Sequence, residues 1–362
     1  MSGSCKTDPR DFLPAASLET LRLRAKLLAT VRKFFDVRGY WEVETPILSH
    51  DVVIDAFLEP FTTHWKHSGA DEHDAGTASG ERVFLQTSPE FGMKRLLAAG
   101  AHDIYQITRA MRNGEVGCYH NPEFTLIEWY RVGDTHHEQM QVVEDLVVHV
   151  FRSAIEFRDS VQSQHFQVTG LLAMQVDQPF ERLTYDEAFQ KHTGARVLGL
   201  ATSQLVELAH RLKIVPPEGL AADDRDGWLN LLLVERVEPN LGRDRPVFLY
   251  DYPPSQAALA RVRQEESPVA ERFELYVQGI EICNGYHELT DPQELRERIQ
   301  CQTALRAREG FPDLPQENRL LDAMEAGLPD CAGVALGFDR LVMSSLGVAS
   351  VAEVMAFPFD RA

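Results

Sequence analysis

The chain has 362 residues, with 36 Lys and Arg against 55 Asp and Glu and a net charge of −19. Hydrophobic residues at 44% and charged ones at 25% exclude a wholly disordered, collagenous or coiled-coil chain, and no run nears the roughly 18 apolar residues of a membrane span. The acidity disfavours non-specific nucleic-acid binding, and five cysteines, odd in number and without C-x-x-C spacing, point to a reducing cytoplasm instead of a disulfide framework or zinc ribbon.

In chain order, Met1 to Pro14 lacks an apolar signal core and reads as a flexible tail. Leu21, Ala25, Leu28, Val31 and Phe35 recur at helical spacing and predict a helix over 18–38, closed by Gly39. Tyr40 to Glu44 predicts a short strand stopped by Pro46. His64 to Glu81 reads as an exposed loop whose histidines (His64, His67, His73) are solvated. Arg82 to Gln86 is a strand, and Ser88-Pro89-Glu90 opens a helix that Gly100 stops. Thr135-x-x-Glu138 is a capping box before a helix to Phe157. Ser160 to Glu181 is a connector. From Thr184-x-x-Glu187 to about Asn240 the pattern is helical, broken at Pro216-Pro217. Asp291-Pro292-x-Glu294 starts a helix that ends near Gly310. Apolar or alternating runs at Pro246–Tyr252, Ala270–Cys283 and Gly333–Leu336 are strands. Strands this far apart in sequence, separated by helices, predict an α+β fold around a mostly antiparallel sheet.

No phosphate loop, dinucleotide fingerprint, H-E-x-x-H or G-x-S-x-G occurs. Three clusters carry chemistry instead. Arg109 to Glu115 and His120 to Tyr130 read as two strands joined by a loop, with Phe124, Leu126 and Glu128 on one face. Arg112 alone is an ordinary surface arginine; beside Asn-Pro-Glu-Phe124 it becomes a phosphate clamp next to a stacking ring. Glu274, Glu281 and Glu288 recur every seventh residue. On a helix that is a solvated stripe, but the apolar context and Asn284-Gly285 favour strands and a turn, with carboxylates that can hold magnesium or an ammonium group. Gly333 to Met343 is a small-residue strand entering a helix through Gly337, with Arg340 in the first turn.

Together these clusters resemble the three signature motifs of class II aminoacyl-tRNA synthetases in their lysine-specific form. Arg38-Gly to Thr45-Pro46 resembles the dimer-forming first motif, Arg112 to Tyr130 the second, and Gly333 to Met343 the third. Thr87-Ser-Pro-Glu90 and Gly279 to Thr290 complete the pattern. Glu123-Phe-Thr, Val237-Glu-Pro-Asn240, Pro254-Ser-Gln-Ala257 and Pro329-Asp-Cys331 are closer to the elongation factor P lysine ligases, which are synthetase paralogues. The resemblance implies a class II catalytic domain over 18–362 with a helical insertion at about 184–240, behind a tail of 17 residues too short for an anticodon-binding module.

It also implies a homodimer that uses ATP and Mg²⁺ to join (R)-β-lysine to elongation factor P, with tRNA an improbable acceptor and no membrane involved. The nucleotide would meet Arg112, Asn113, Gly114, Glu115, Asn121, Phe124, Glu281, Ile282, Gly337 and Arg340. Arg112 and Arg340 would be catalytic, on the α- and γ-phosphates, and Glu274 and Glu281 would hold Mg²⁺. The amino acid would meet Ser88, Pro89, Glu90, Tyr130, Asn284, Glu288 and Ala335. Two positions depart from the synthetase pattern. Gly114 stands where an acid normally contacts adenine, leaving either Glu115 or the backbone to read it. Ala335 stands where lysyl-tRNA synthetases usually carry glycine, and its methyl group would crowd an α-amino acid. The competing readings are a truncated lysyl-tRNA synthetase and a catalytically dead amino-acid-binding regulator.

Overall fold

The computed structural model describes residues 12–66, 80–161 and 176–362. Most of the N-terminal tail, His67, His73 and most of the connector read from Ser160 to Glu181 lie outside the described residues. Helix α1 (Leu18–Asp36) starts at Ser17, whose side chain accepts from Thr20 N–H. Strands β1 (Trp41–Glu42), β2 (Leu48–Ser49), β3 (Thr62–Trp65) and β4 (Glu81–Leu85) precede helix α2 (Glu90–Ala98). The long pair β5 (Asp103–Met111) and β6 (Glu123–Val132) follows, then helix α3 (His136–Ser160). Strand β7 (Glu181–Thr184) leads to helices α4 (Tyr185–Thr193), α5 (Thr202–Arg211) and α6 (Arg225–Leu232). Strands β8 (Val247–Tyr252), β9 (Val262–Arg263), β10 (Val269–Val277) and β11 (Ile280–His287) precede helices α7 (Pro292–Arg308) and α8 (Arg319–Gly327). Strand β12 (Cys331–Gly337) and helix α9 (Phe338–Leu346) complete the set.

The main sheet runs β1-β5-β6-β12-β11-β10-β8-β7, with β9 on β10. Its middle is antiparallel throughout, and β1 and β7 add in parallel at the two edges. The fold is α+β, a mostly antiparallel sheet flanked by helices. Strand alternation gives the sheet two different faces. Ile127, Trp129, Phe273, Leu275, Val334 and Leu336 pack under α1, α3 and α9. Residues of opposite parity on the same strands form the floor of a cavity. Leu23, Leu27, Val31, Phe34 and Phe35 fix α1 to the covered face, each buried side chain contributing about 1.5–3 kcal/mol. A second core joins α4, α5 and α6 to β8, and a third sits under α2, α7 and α8.

Four local expectations change. The buried stripe of α1 is Leu23, Leu27, Val31 and Phe34–Phe35; Leu21, Ala25 and Leu28 lie at its margin. His64 belongs to β3, in a small sheet ordered β2-β4-β3 that the sequence did not announce, because Thr62 to Trp65 are all exposed. The strand expected over Tyr40 to Glu44 shrinks to Trp41–Glu42. Asn284-Gly285 lies within β11 and makes no turn: the β10–β11 turn is Gln278-Gly279, with φ of +55° and +80°. Gly285 is glycine for another reason, since a Cβ there would stand 2.4 Å from the Phe273 ring.

Candidate active site

The cavity, about 940 Å³, opens on the sheet face away from α1 and α3. Strand register sets two rows across its floor. One runs Tyr130, Gly333, Tyr286, Arg272; the next runs Glu128, Ala335, Asn284, Glu274. Gly333 has to be glycine, because a Cβ there would lie 2.3 Å from the Tyr130 ring and 2.7 Å from Glu288 Oε1. Ala335, one pleat along, faces the cavity between Glu128 and Asn284.

One end of the cavity is a buried charge cluster. Lys94, 1% exposed, places its ammonium 2.6 Å from Glu90 Oε1 and 2.5 Å from Glu288 Oε2. Burial opposes that charge, but the Glu288 and Glu90 carboxylates outweigh it and hold Lys94 protonated. Glu128, also 1% exposed, accepts from Ser88 Oγ at 2.7 Å and from Tyr130 OH at 2.8 Å. Burial, with Glu90 adding repulsion, pushes its carboxyl up to about 8. Burial also raises Glu288. Three carboxyl groups share one ammonium here, and Glu128 keeps its proton below about 8, so this end suits a ligand whose ammonium groups draw that proton off.

The other end is cationic. Arg340 donates from Nε to the Tyr119 carbonyl at 3.1 Å and from Nη1 to the Glu281 carbonyl at 3.0 Å and carboxylate at 3.3 Å. Its Nη2 lies 2.7 Å from His120 Nε2. Burial, and then Arg340, lower His120, keeping that imidazole neutral as an acceptor. The Arg112 guanidinium stands 5.1 Å from the Phe124 ring centre and 3.7 Å from Glu115. Such fixed guanidinium groups beside an aromatic ring suit a phosphate ester of a flat base.

Between the ends lies a carboxylate–tyrosine group. Glu274 accepts from Tyr252 OH (2.6 Å), Tyr276 OH (2.7 Å) and Arg272 (2.6 Å), with Asn284 Nδ2 at 3.4 Å. Burial, then the Glu274 charge, raise both Glu281 and Glu238, the latter to about 7. The Oδ1 atom of Asn284 is buried with no hydrogen-bond partner among the described residues.

Of the residues expected from sequence, Ser88, Glu90, Tyr130, Asn284, Glu288 and Ala335 line the cavity, as do Arg112, Glu115, Asn121, Phe124, Glu274, Glu281, Ile282, Gly337 and Arg340. Pro89, Asn113 and Gly114 shape backbone instead. Pro89 precedes α2, Asn113 N–H bonds the Glu59 carbonyl at 2.8 Å, and Gly114 turns at φ +82°. That turn leaves Glu115 on the cavity wall. Asn121 spends its side chain on backbone, donating to the Glu123 carbonyl and accepting from Phe359 N–H. Sequence reasoning missed Lys94, Arg272, Tyr252 and Tyr276 as parts of the site, and named His120, Glu128 and Glu238 only as members of motifs, without a role. Lys94 had one local signal, its position one helical turn after Glu90.

The profile of the tRNA synthetases class II (D, K and N) matches residues 10–361. A curated relative from Salmonella arizonae, named elongation factor P--(R)-beta-lysine ligase, is 42% identical over 351 residues, which cover 96% of this chain and 98% of that protein. Proteins of the same name from Salmonella paratyphi B and Salmonella schwarzengrund are 43% identical over the same shares. With sheet, cavity and sequence in agreement over nearly its whole length, the chain belongs to the class II tRNA synthetase family.

Proposed function

We propose that this protein is an ATP-dependent ligase that activates (R)-β-lysine as an adenylate and transfers it to a lysine side chain of elongation factor P. The observation that carries this reading is the two-ended cavity, rich in carboxyl groups around Glu90, Glu128 and Glu288 and cationic around Arg112 and Arg340. The relatives' name supplies the acceptor and the β-amino acid.

In this reading Glu90 and Glu288, bridged by Lys94, take the two ammonium groups, with Tyr130, Ser88 and Asn284 fixing the stem. Phe124 stacks on adenine, near Glu115, Asn121, Ile282 and Gly337. Arg112 holds the α-phosphate and Arg340 the γ-phosphate. The substrate carboxylate attacks the α-phosphorus, the bond to the β-phosphate oxygen breaks, and pyrophosphate leaves. The acceptor lysine then arrives as a free amine, attacks the adenylate carbonyl, loses its proton and expels AMP. No side chain serves as general base in the first step, so catalysis is positioning and charge neutralisation. Magnesium suits the all-oxygen donors at Glu281 and Glu274, where burial and then the Glu274 charge raise Glu281. When bound, it would offset phosphate charge. Glu274 is already held by tyrosines and Arg272, which leaves Glu281 the freer ligand. The protein would act in the cytoplasm, as a homodimer.

Mass spectrometry of elongation factor P after incubation with this protein, ATP, Mg²⁺ and β-lysine tests the proposal. One added β-lysyl group is expected, and Arg340→Ala should abolish it while leaving the circular dichroism unchanged. An unmodified factor beside efficient charging of tRNA would overturn it.

A further inference from the structure

On the covered side of the sheet, at the start of α3, lies a histidine–carboxylate cluster that takes no part in the cavity. His136 is 1% exposed, and neither ring nitrogen has a hydrogen-bond partner among the described residues. A buried imidazole left without any partner calls for one. Its Nε2 faces Asp251 Oδ1 at 3.8 Å, and that oxygen also lacks a hydrogen-bond partner among the described residues. Donor atoms of His136, Glu271 and His287 lie within 4.8 Å of one another.

We propose that His136, Glu271 and His287, with Asp251 as fourth donor, form a binding site for a divalent transition-metal cation of the zinc class. Two imidazole nitrogens and two carboxylate oxygens are a tetrahedral zinc set, and imidazoles select against magnesium and calcium. Metal–donor bonds of about 2.0–2.2 Å put tetrahedral neighbours about 3.3–3.6 Å apart. Binding would draw His136 and Asp251 together from 3.8 Å, part Glu271 Oε2 and His287 Nδ1 from 2.5 Å, and bring Asp251 onto the three-residue cluster.

The surroundings are those of a metal site. His287 Nδ1 lies 2.5 Å from Glu271 Oε2, and its Nε2 lies 2.9 Å from Asp330 Oδ1. With Nδ1 on the metal, Nε2–H donates to Asp330, the carboxylate behind the histidine that fixes its tautomer. Arg261 in turn holds Asp330 at 2.6 Å. Arg263 takes the outer oxygens of both carboxylates, Asp251 Oδ2 at 3.0 Å and Glu271 Oε1 at 3.2 Å, so each keeps its inner oxygen for the cation. The two carboxylates cancel the metal's charge.

The position gives the site a role. Glu271 precedes Arg272, and His287 precedes Glu288, so the cluster ties together the ends of β10 and β11 whose next residues form the cavity floor. The metal would be structural, clamping these strands to the start of α3.

Cobalt substitution on the full-length protein tests this. Metal-stripped protein titrated with Co²⁺ should take one equivalent and show the visible d–d band of tetrahedral cobalt, displaced by Zn²⁺. His136→Gln should lose the band. Asp330→Asn, at a surface position that the fold tolerates, should weaken binding about 10- to 100-fold. Zinc should raise the thermal midpoint of the wild type and leave that of His136→Gln where it was. No bound equivalent, a thiolate charge-transfer band placing the cobalt on cysteine, or a band retained in folded His136→Gln would each overturn the proposal. Should His136→Gln fail to fold, unchanged affinity in Asp330→Asn overturns it as well.

Discussion

Glu128 decides the charge balance at the carboxyl-rich end of the cavity. Burial and Glu90 push its carboxyl up to about 8, against an ordinary glutamate near 4.3. Between those values the folded protein holds a proton that the unfolded chain has given up, so this group costs stability as pH rises through that window. Ligand binding has the opposite sign. An ammonium group drawn into the cluster favours the ionised carboxylate, so below about 8 binding expels the proton and tightens with pH, by up to about tenfold per unit. The KM for amino acid in ATP–pyrophosphate exchange should therefore fall between pH 6.5 and 8, and the slope should flatten in Glu128→Gln. A wild-type KM independent of pH would remove Glu128 from this role. Ala335, across the register from Glu128, is the second residue with a single consequence. Removing a methyl that crowds a pocket is worth about 1–3 kcal/mol in discrimination. Ala335→Gly should shift kcat/KM toward α-lysine relative to β-lysine, and an unchanged ratio excludes it as the selector.

At the scale of elements, the strip after α1 is unusually apolar for a surface. Val37 is 69% exposed, Trp41 62%, Leu48 46% and Ile47 40%. Backbone pairing holds β1 at the sheet edge, so this strip is presented on a rigid support, as a self-complementary two-fold contact requires. Trp41→Glu should convert a dimer into a monomer in light scattering at micromolar protein; a wild type that is already monomeric would refute the contact. How far the sequence reached also divides by element. Helix starts were legible because capping is local: Thr135 with Glu138, Thr184 with Glu187, and Asp291 before Pro292 all cap as read. The β10–β11 turn was not, since the first of its two positive φ angles falls on Gln278, while the familiar turn dipeptide Asn284-Gly285 answers to the Phe273 ring. Arg112, Arg340, Glu90, Glu274, Glu281 and Glu288 were singled out through motifs and line the cavity, whereas Arg272 lines it without having been read. Lys94 was not legible, because its second partner, Glu288, comes from a distant strand that only the fold brings near.

For the whole molecule, the net charge of −19 bears on the acceptor. Phosphate neutralisation supplies most non-specific nucleic-acid affinity, and an acidic surface withholds it. A protein acceptor does not face this penalty to the same degree. The repulsion of tRNA should be strongest at low salt and should fade near physiological ionic strength, where the Debye length is about 8 Å. Labelled β-lysine should therefore appear on elongation factor P at both low and physiological salt, while labelled lysine should stay absent from tRNA even where screening is favourable. The transfer step carries its own pH signature. The attacking lysine has to lose a proton with an ordinary pKa near 10.4, so single-turnover transfer from preformed adenylate should accelerate with pH well above the Glu128 range. The two steps are thus separable: amino-acid binding should level off near pH 8, and transfer should keep rising. A transfer rate that levels off together with binding would mean that the protein deprotonates the acceptor amine itself, and that the acceptor side of the cavity holds a base not yet assigned.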